Sequence, residues 1–154
     1  MLKAQDIMTK DPLTLRPEDD IAAAARIMVT KRINGLPVVD EDGKPVGIIT
    51  QSDLVAQQKT LRLPSVFTLL DGYVPLASLD SLEAEFKKIT AMTVAEAMTR
   101  DPATVAPDTP LDHIAALMVD RQYHTLPVVD HGRLVGVVGK EDVIRTLIPG
   151  AAKA

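Results

Sequence analysis

The stretch Leu36-Pro37-Val38-Val39-Asp40 recurs later in the chain as Leu126-Pro127-Val128-Val129-Asp130. The surrounding residues recur in the same order, because residues 6–55 align with residues 96–144 with one gap, at Asp42. Chance does not preserve such an order over so many positions. The sequence therefore contains two copies of one structural unit, and this duplication determines the fold.

Each copy has the pattern of a β-α-β-β-α unit. After a short extended piece, a helix is expected to begin at Asp19 in the first copy, and the second copy is expected to have Thr109 as N-cap and Pro110 at the first helical position. The apolar face of the first helix is formed by residues at helical spacing, namely Ile21, Ala24, Ala25 and Met28. A further helix is expected to open near Gln51 in one copy and near Lys140 in the other.

Two short strands lie between these helices in each copy. Alternating and β-branched residues predict strands at 36–39 and 46–49, joined by a turn at 40–43. The second copy has the equivalent strands at 126–129 and 134–138. The predicted fold class is therefore α/β, or α+β, with two similar units.

A unit of about 50 residues buries too small a share of its surface to be stable alone. The two copies are therefore expected to pack on each other about a pseudo-twofold axis. Such a pairing leaves two equivalent clefts, each lined by residues of both copies. The starts of the copies, residues 8–13 and 98–103, are expected to close the cleft of the opposite copy.

Composition argues against several classes of function. The chain has 17 basic and 21 acidic residues and a net charge of -4, which disfavours nucleic acid and anionic membranes as partners. It has no cysteine, no apolar segment of a secretory signal at its start, and no apolar run long enough to span a bilayer. A cytoplasmic protein is the expectation.

The sequence resembles the tandem CBS-domain family, also called the Bateman module. The resemblance rests on Met8-Thr9 with Asp11-Pro12 at the start of the first copy, on residues 36–40 in its middle and on residues 47–53 at its end, all of which have counterparts in the second copy. It implies a non-catalytic regulatory module that senses cellular energy by binding an adenine nucleotide. AMP, ADP or ATP is the expected ligand, with S-adenosylmethionine and NAD as further options, and no cofactor is required. The resemblance also implies a homodimer and an unidentified protein partner.

Residues 47–53 form the first candidate ligand site, because a strand there runs directly into a helix whose free N–H groups favour a phosphate. Gly47 would let the backbone approach the ligand, the Thr50 hydroxyl would bond a phosphate oxygen, and the Asp53 carboxylate would accept the hydrogens of a ribose diol. The family resemblance implies the same role for this aspartate. Without a ligand, Thr50 and Asp53 could equally serve to cap the helix.

The second copy departs from this pattern, because Gly139 replaces Thr50 and Lys140 replaces Gln51. Asp142 keeps the acidic position, Lys140 could contact a phosphate, and the two clefts are expected to differ in affinity. The resemblance assigns base recognition to residues near the Leu-Pro pair and in the following strand. For the Asp53 cleft these are Asn34, Gly35, Leu36, Pro37 and Ile48, and for the Asp142 cleft they are His124, Thr125 and Val137. Asn34 and His124 could equally be turn residues that contact no ligand.

Nothing in the sequence nominates a catalytic or metal site. The histidines His113, His124 and His131 have no metal-type spacing, and no Walker-type glycine loop or nucleophile elbow is present. An enzyme is therefore not expected.

Residues 56–93 belong to neither copy. They carry an apolar cluster in residues 61–70 and a candidate helix from Leu82 with Phe86 and Ile89 on one face, so a helical insert is expected. The expected organisation is repeat 1 at 1–55, the insert at 56–93, repeat 2 at 94–148 and a flexible tail at 149–154. The insert could form an extra core layer or an interface, and a ligand-free scaffold that uses it is the alternative function.

Overall fold

The computed structural model describes residues 1–59 and 92–150. This part of the chain has six helices and six strands, and each repeat shows the predicted β-α-β-β-α order preceded by one short helix that the residue pattern did not predict. In chain order they are α1 (Ala4–Ile7), β1 (Thr9–Lys10), α2 (Ile21–Lys31), β2 (Gly35–Val39), β3 (Pro45–Thr50), α3 (Gln51–Gln58), α4 (Val94–Ala97), β4 (Thr99–Arg100), α5 (Leu111–Asp120), β5 (Thr125–Asp130), β6 (Arg133–Gly139) and α6 (Lys140–Arg145). The mixed α/β class is confirmed. The predicted helical insert falls mostly on residues 60–91, outside the described residues, and stays a prediction.

The strands form two antiparallel three-stranded sheets, each shared between the repeats. One sheet has the order β2-β3-β4 and the other β1-β6-β5. The hairpin of each sheet comes from one repeat and the third strand from the start of the other, as the pairs Ile48–Thr99 and Thr9–Val137 show. The repeats therefore exchange their first strands.

Each sheet packs on a separate apolar core with contributions from both repeats. One core contains Leu36, Val38 and Ile49 of repeat 1 together with Val94 and Ala97 of the other repeat. The second core has the equivalent composition, with Ala4 and Ile7 packed among Ile114, Leu126, Val128 and Val138. The repeated Leu-Pro-Val stretch is fully buried in both places, which explains why its residues recur.

Two helices start one or two residues later than predicted. Helix α2 is capped by Asp20, whose carboxylate accepts the Ala23 N–H at 3.0 Å, whereas Asp19 accepts the Arg16 N–H in the preceding turn. Helix α5 has Pro110 as its N-cap residue. Thr109 is not the N-cap, because its hydroxyl accepts the Ala106 N–H at 2.9 Å. In both cases the upstream side chain closes a turn.

Helix α4 begins with a reciprocal cap. The Thr93 hydroxyl accepts the Glu96 N–H, and the Glu96 carboxylate accepts the Thr93 N–H at 3.1 Å and the Thr93 hydroxyl proton at 2.9 Å. The backbone bond from Thr93, followed by its hydroxyl bond, lowers the pKa of Glu96. These bonds fix the first turn of α4, the short helix that precedes β4.

Candidate functional site

The start of helix α3 contains Thr50 and Asp53 in a capping box. The Thr50 hydroxyl accepts the Asp53 N–H at 3.2 Å, and Oδ2 of Asp53 accepts the Thr50 N–H at 2.9 Å. These two bonds satisfy N–H groups at the end of the strand and in the first turn of the helix. The capping role, which the sequence left open, is therefore present in the structure.

Asp53 also lies at the boundary between the repeats. The Thr99 hydroxyl of β4 donates to Oδ1 of Asp53 at 3.1 Å, and it lies 3.3 Å from Oδ2. Asp53 is half-buried by this contact with the opposite repeat. Its carboxylate is therefore part of the shared surface where the sequence interpretation expected a cleft.

Gly47 has a packing role. A Cβ at Gly47 would lie 2.5 Å from the Met98 sulfur and 2.9 Å from the Thr99 carbonyl oxygen, both in the opposite repeat. Gly136 of β6 has the same relation to Met8 and Thr9. The missing side chain therefore admits the exchanged strand, whereas the sequence interpretation had assigned the space beside Gly47 to a ligand.

Asp142 is the equivalent aspartate of repeat 2, and its partners include a charged side chain. Oδ2 accepts the Gly139 N–H at 2.9 Å, and Oδ1 accepts a bond from Arg145 at 3.1 Å. Asp142 is 9% exposed, whereas the Arg145 side chain is 37% exposed, so the ion pair is shielded from solvent on its carboxylate side. Gly139 has no hydroxyl, so helix α6 begins without the side-chain cap that Thr50 gives to α3.

A cleft of about 450 Å³ adjoins Asp142 and is lined by both repeats. Repeat 2 forms one wall, and repeat 1 forms the other through its first residues and the start of β2. The lining residues are Thr9, Asp11, Pro12, Leu13, Arg32, Ile33, Asn34, Gly35, Leu36, Pro37, His124, Thr125, Val137, Gly139, Lys140, Glu141, Asp142 and Arg145. We call this the Asp142 cleft. As predicted, it is closed by the start of the opposite repeat.

The structure groups the predicted residues differently from the sequence interpretation. Asn34 and Gly35, which were assigned to the Asp53 cleft, lie in the wall of the Asp142 cleft, and so do Leu36 and Pro37. The reason is that β2 and β5 approach each other at their beginnings, where a Cβ on Gly35 would come within 3.3 Å of the Thr125 hydroxyl. Of the predicted site residues, four do not line this cleft, namely Gly47, Ile48, Thr50 and Asp53.

Sequence reasoning missed several lining residues. Arg145 follows Asp142 by one helical turn, so the i,i+3 spacing was a usable signal for the ion pair. Arg32 gave no comparable signal, because it reaches the cleft through a left-handed conformation, with φ of 54°, at the end of α2. The spacing of apolar residues does not predict a left-handed residue at the end of a helix.

Within residues 1–59 and 92–150, no group of three or more His, Asp or Glu side chains is arranged to hold a metal ion. The helices in the same ranges include none that is both long and apolar enough to cross a bilayer.

Comparison with known proteins identifies the family. The CBS domain family matches the chain twice, at residues 4–59 and 94–149. The uncharacterized protein MJ1426 of Methanocaldococcus jannaschii is 34% identical over 154 residues, covering 94% of this chain and 90% of that protein. In other relatives the matched region is between 21% and 63% of the protein.

Two solved structures have the same fold. The CBS domain pair of protein MJ0100, determined with 5'-methylthioadenosine and S-adenosyl-L-methionine, is 32% identical with a TM-score of 0.72 and covers 96% of both chains. CBSX2 of Arabidopsis thaliana, determined with AMP, is 25% identical with a TM-score of 0.72 and the same coverage. The chain belongs to the CBS-domain family.

Proposed function

We propose that this CBS-domain protein is a regulatory module that binds an adenosine-type ligand in the Asp142 cleft and in the equivalent cleft at Asp53. The observation that carries the proposal is a cleft of about 450 Å³ that both repeats line and that contains a buried carboxylate. This volume lies within the usual range for small-molecule sites. A ligand there would contact both halves of the protein.

The lining of the Asp142 cleft suits the parts of a nucleotide. Leu13, Ile33 and Val137, which are exposed or half-buried, supply apolar surface for a base, and the Asp142 carboxylate supplies acceptors for ribose hydroxyls. Lys140 and Arg145 supply positive charge for a phosphate. The ligands of the MJ0100 pair and of CBSX2 share an adenosine group, which supports adenosine as the recognised part.

The cleft at Asp53 is proposed to bind the same class of ligand with different affinity. Thr50 offers a hydroxyl where repeat 2 has Gly139, and Asp53 accepts a bond from Thr99. A ribose diol would have to share or replace that bond. The two clefts therefore present different hydrogen-bonding groups to one ligand.

Ligand binding is proposed to regulate a partner protein, with energy sensing in the cytoplasm as its setting. A ligand shifts a conformational equilibrium only if it prefers one arrangement. Because the Asp142 cleft is formed by both repeats, a bound nucleotide would favour one spacing of the repeats over others. The partner protein would bind one spacing of the repeats more tightly than the other.

A homodimer is also part of the proposal. Val29 in α2 and Val119 in α5 occupy equivalent positions and are 80% and 75% exposed, and Val55 in α3 and Ile144 in α6 form a second equivalent pair. A shallow groove between α5 and α6 connects Val119 with Ile144 and adds the half-buried Val143 to this apolar surface. These exposed apolar side chains occupy equivalent positions in both repeats. A second copy of the chain presents the same two sets, so both repeats of one copy would pack against both repeats of the other.

Calorimetric titration with AMP, ADP, ATP, S-adenosylmethionine and NAD tests the binding proposal. Wild type is compared with Asp142→Ala and Asp53→Ala, and Asp120→Ala, on the exposed end of α5, is the matched control. Loss of a charged hydrogen bond, worth about 1.5–3 kcal/mol, should weaken binding about tenfold or more. Unchanged affinity in both cleft variants would exclude the aspartates, and failure of wild type to bind any of these ligands would favour the scaffold function.

A further inference from the structure

The Asp142 cleft contains a cation that the other repeat lacks. Arg145 lines the cleft, whereas the equivalent position in repeat 1 is Ala56. Oδ1 of Asp53 accepts a bond from the neutral Thr99 hydroxyl, and Ala56 brings no charge to it. The two aspartates therefore have neighbours of different charge.

Asp142 holds Arg145 in a defined position. The 3.1 Å bond joins Nη1 of Arg145 to Oδ1 of Asp142, while the Gly139 N–H fixes Oδ2 at 2.9 Å. Asp142 is buried and Arg145 is half-buried, so solvent and salt screen this pair less than an exposed one. A guanidinium carries five N–H donors in a rigid plane, and the bond to Oδ1 uses one of them. Donors therefore remain for an anionic group in the cleft.

The other charged side chains of the cleft are less constrained. Arg32 and Lys140 are exposed, and the carboxylates of Asp11 and Glu141 offset their charge. A cation that is already held in place loses less conformational entropy when it binds a ligand. Arg145 is therefore better placed than Arg32 or Lys140 to recognise a phosphate.

We propose that Arg145 makes the Asp142 cleft selective for adenosine ligands that carry a phosphate, and that Asp142 positions Arg145 for this contact. The proposal rests on the proposed function, because it concerns the same site. It extends that function by separating phosphorylated nucleotides from neutral compounds such as adenosine. It also gives Asp142 a second task, which Asp53 does not share.

AMP and adenosine are the probes for this selectivity. Each is titrated into isotopically labelled protein, and the amide resonances of Gly139 and Lys140 report binding in this cleft separately from binding at Asp53. The variants are Arg145→Gln, Arg145→Lys and Asp142→Asn, and Arg121→Gln at the exposed end of α5 is the matched control. Amide spectra without ligand verify that each variant is folded.

We expect Arg145→Gln to weaken AMP binding about tenfold or more and to change adenosine binding less than about twofold. Arg145→Lys should restore part of the AMP affinity, because it restores the charge without the planar geometry. In the wild-type background, Asp142→Asn should weaken AMP binding more than adenosine binding. In the Arg145→Gln background, Asp142→Asn should weaken the binding of both ligands equally.

Two results would overturn the role of Arg145. One is an equal effect of Arg145→Gln on AMP and adenosine, and the other is no effect on either. In both cases the ligands still bind in the cleft, so the proposed function survives. If neither probe shifts the Gly139 and Lys140 resonances of wild type, the adenosine site itself is rejected, and the selectivity with it.

Discussion

Thr50 and Gly139 occupy equivalent positions but cap their helices differently. The Thr50 hydroxyl accepts the Asp53 N–H, whereas Gly139 begins α6 without such a bond. We expect Thr50→Ala to lower the free energy of unfolding by about 1 kcal/mol, because an N-cap bond is lost. Gly139→Ser should raise it by a few tenths of a kcal/mol, since a Cβ there meets no atom closer than 3.8 Å.

Urea denaturation of the two variants and wild type measures both changes. A Thr50→Ala protein as stable as wild type would mean that the capping box contributes nothing to folding. A destabilised Gly139→Ser protein would mean that the start of α6 requires glycine for another reason.

The residue scale also shows why the candidate site was only partly predictable. Asp53 and Asp142 could be identified because each follows a strand-to-helix junction in a repeated motif. Of their partners, Arg145 had a local signal in its i,i+3 spacing from Asp142, whereas Thr99 lies 46 residues from Asp53 and reaches it only through the packing of the repeats. Repeated motifs predict equivalent positions, but they do not predict equivalent environments.

The exchanged strands β1 and β4 depend on the glycines that face them. We expect Gly47→Ala to lower the free energy of unfolding by about 1–3 kcal/mol, because the new methyl group would meet the Met98 sulfur at 2.5 Å and the Thr99 carbonyl at 2.9 Å. Gly139→Ser is the matched control, as its Cβ has ordinary contact distances and serine is a favourable N-cap residue. Equal thermal and urea stability of the two variants would contradict this role of Gly47.

The hairpins were predictable at the element scale, and the exchange was not. Strands β2 and β3 show apolar β-branched residues on either side of a Gly-containing turn, and these are local signals. Strands β1 and β4 have two residues each, and both pair with strands far away in sequence. So short a segment has no periodicity, and its partner is chosen by the tertiary packing of the repeats.

At the scale of the whole molecule, the duplicated aliphatic side chains predict how two copies meet. We expect wild type to be a dimer in light scattering and the double variant Val29→Glu/Val119→Glu to be a monomer, because a buried carboxylate at each repeat would oppose the contact. Leu147→Glu is the matched control, since Leu147 is 81% exposed but lies beyond the aligned repeats. A wild-type monomer at working concentration would contradict the homodimer.

The strand exchange described above also constrains how such a protein could arise. A single ancestral unit would lack one edge strand of its sheet and part of its core. It could complete both only by exchanging its N-terminal segment with a second polypeptide. Gene duplication would have turned that trade between molecules into one within a single chain. After this fusion, the association of the two halves no longer depends on protein concentration. Each half could then diverge in sequence, as the different surroundings of Asp53 and Asp142 illustrate.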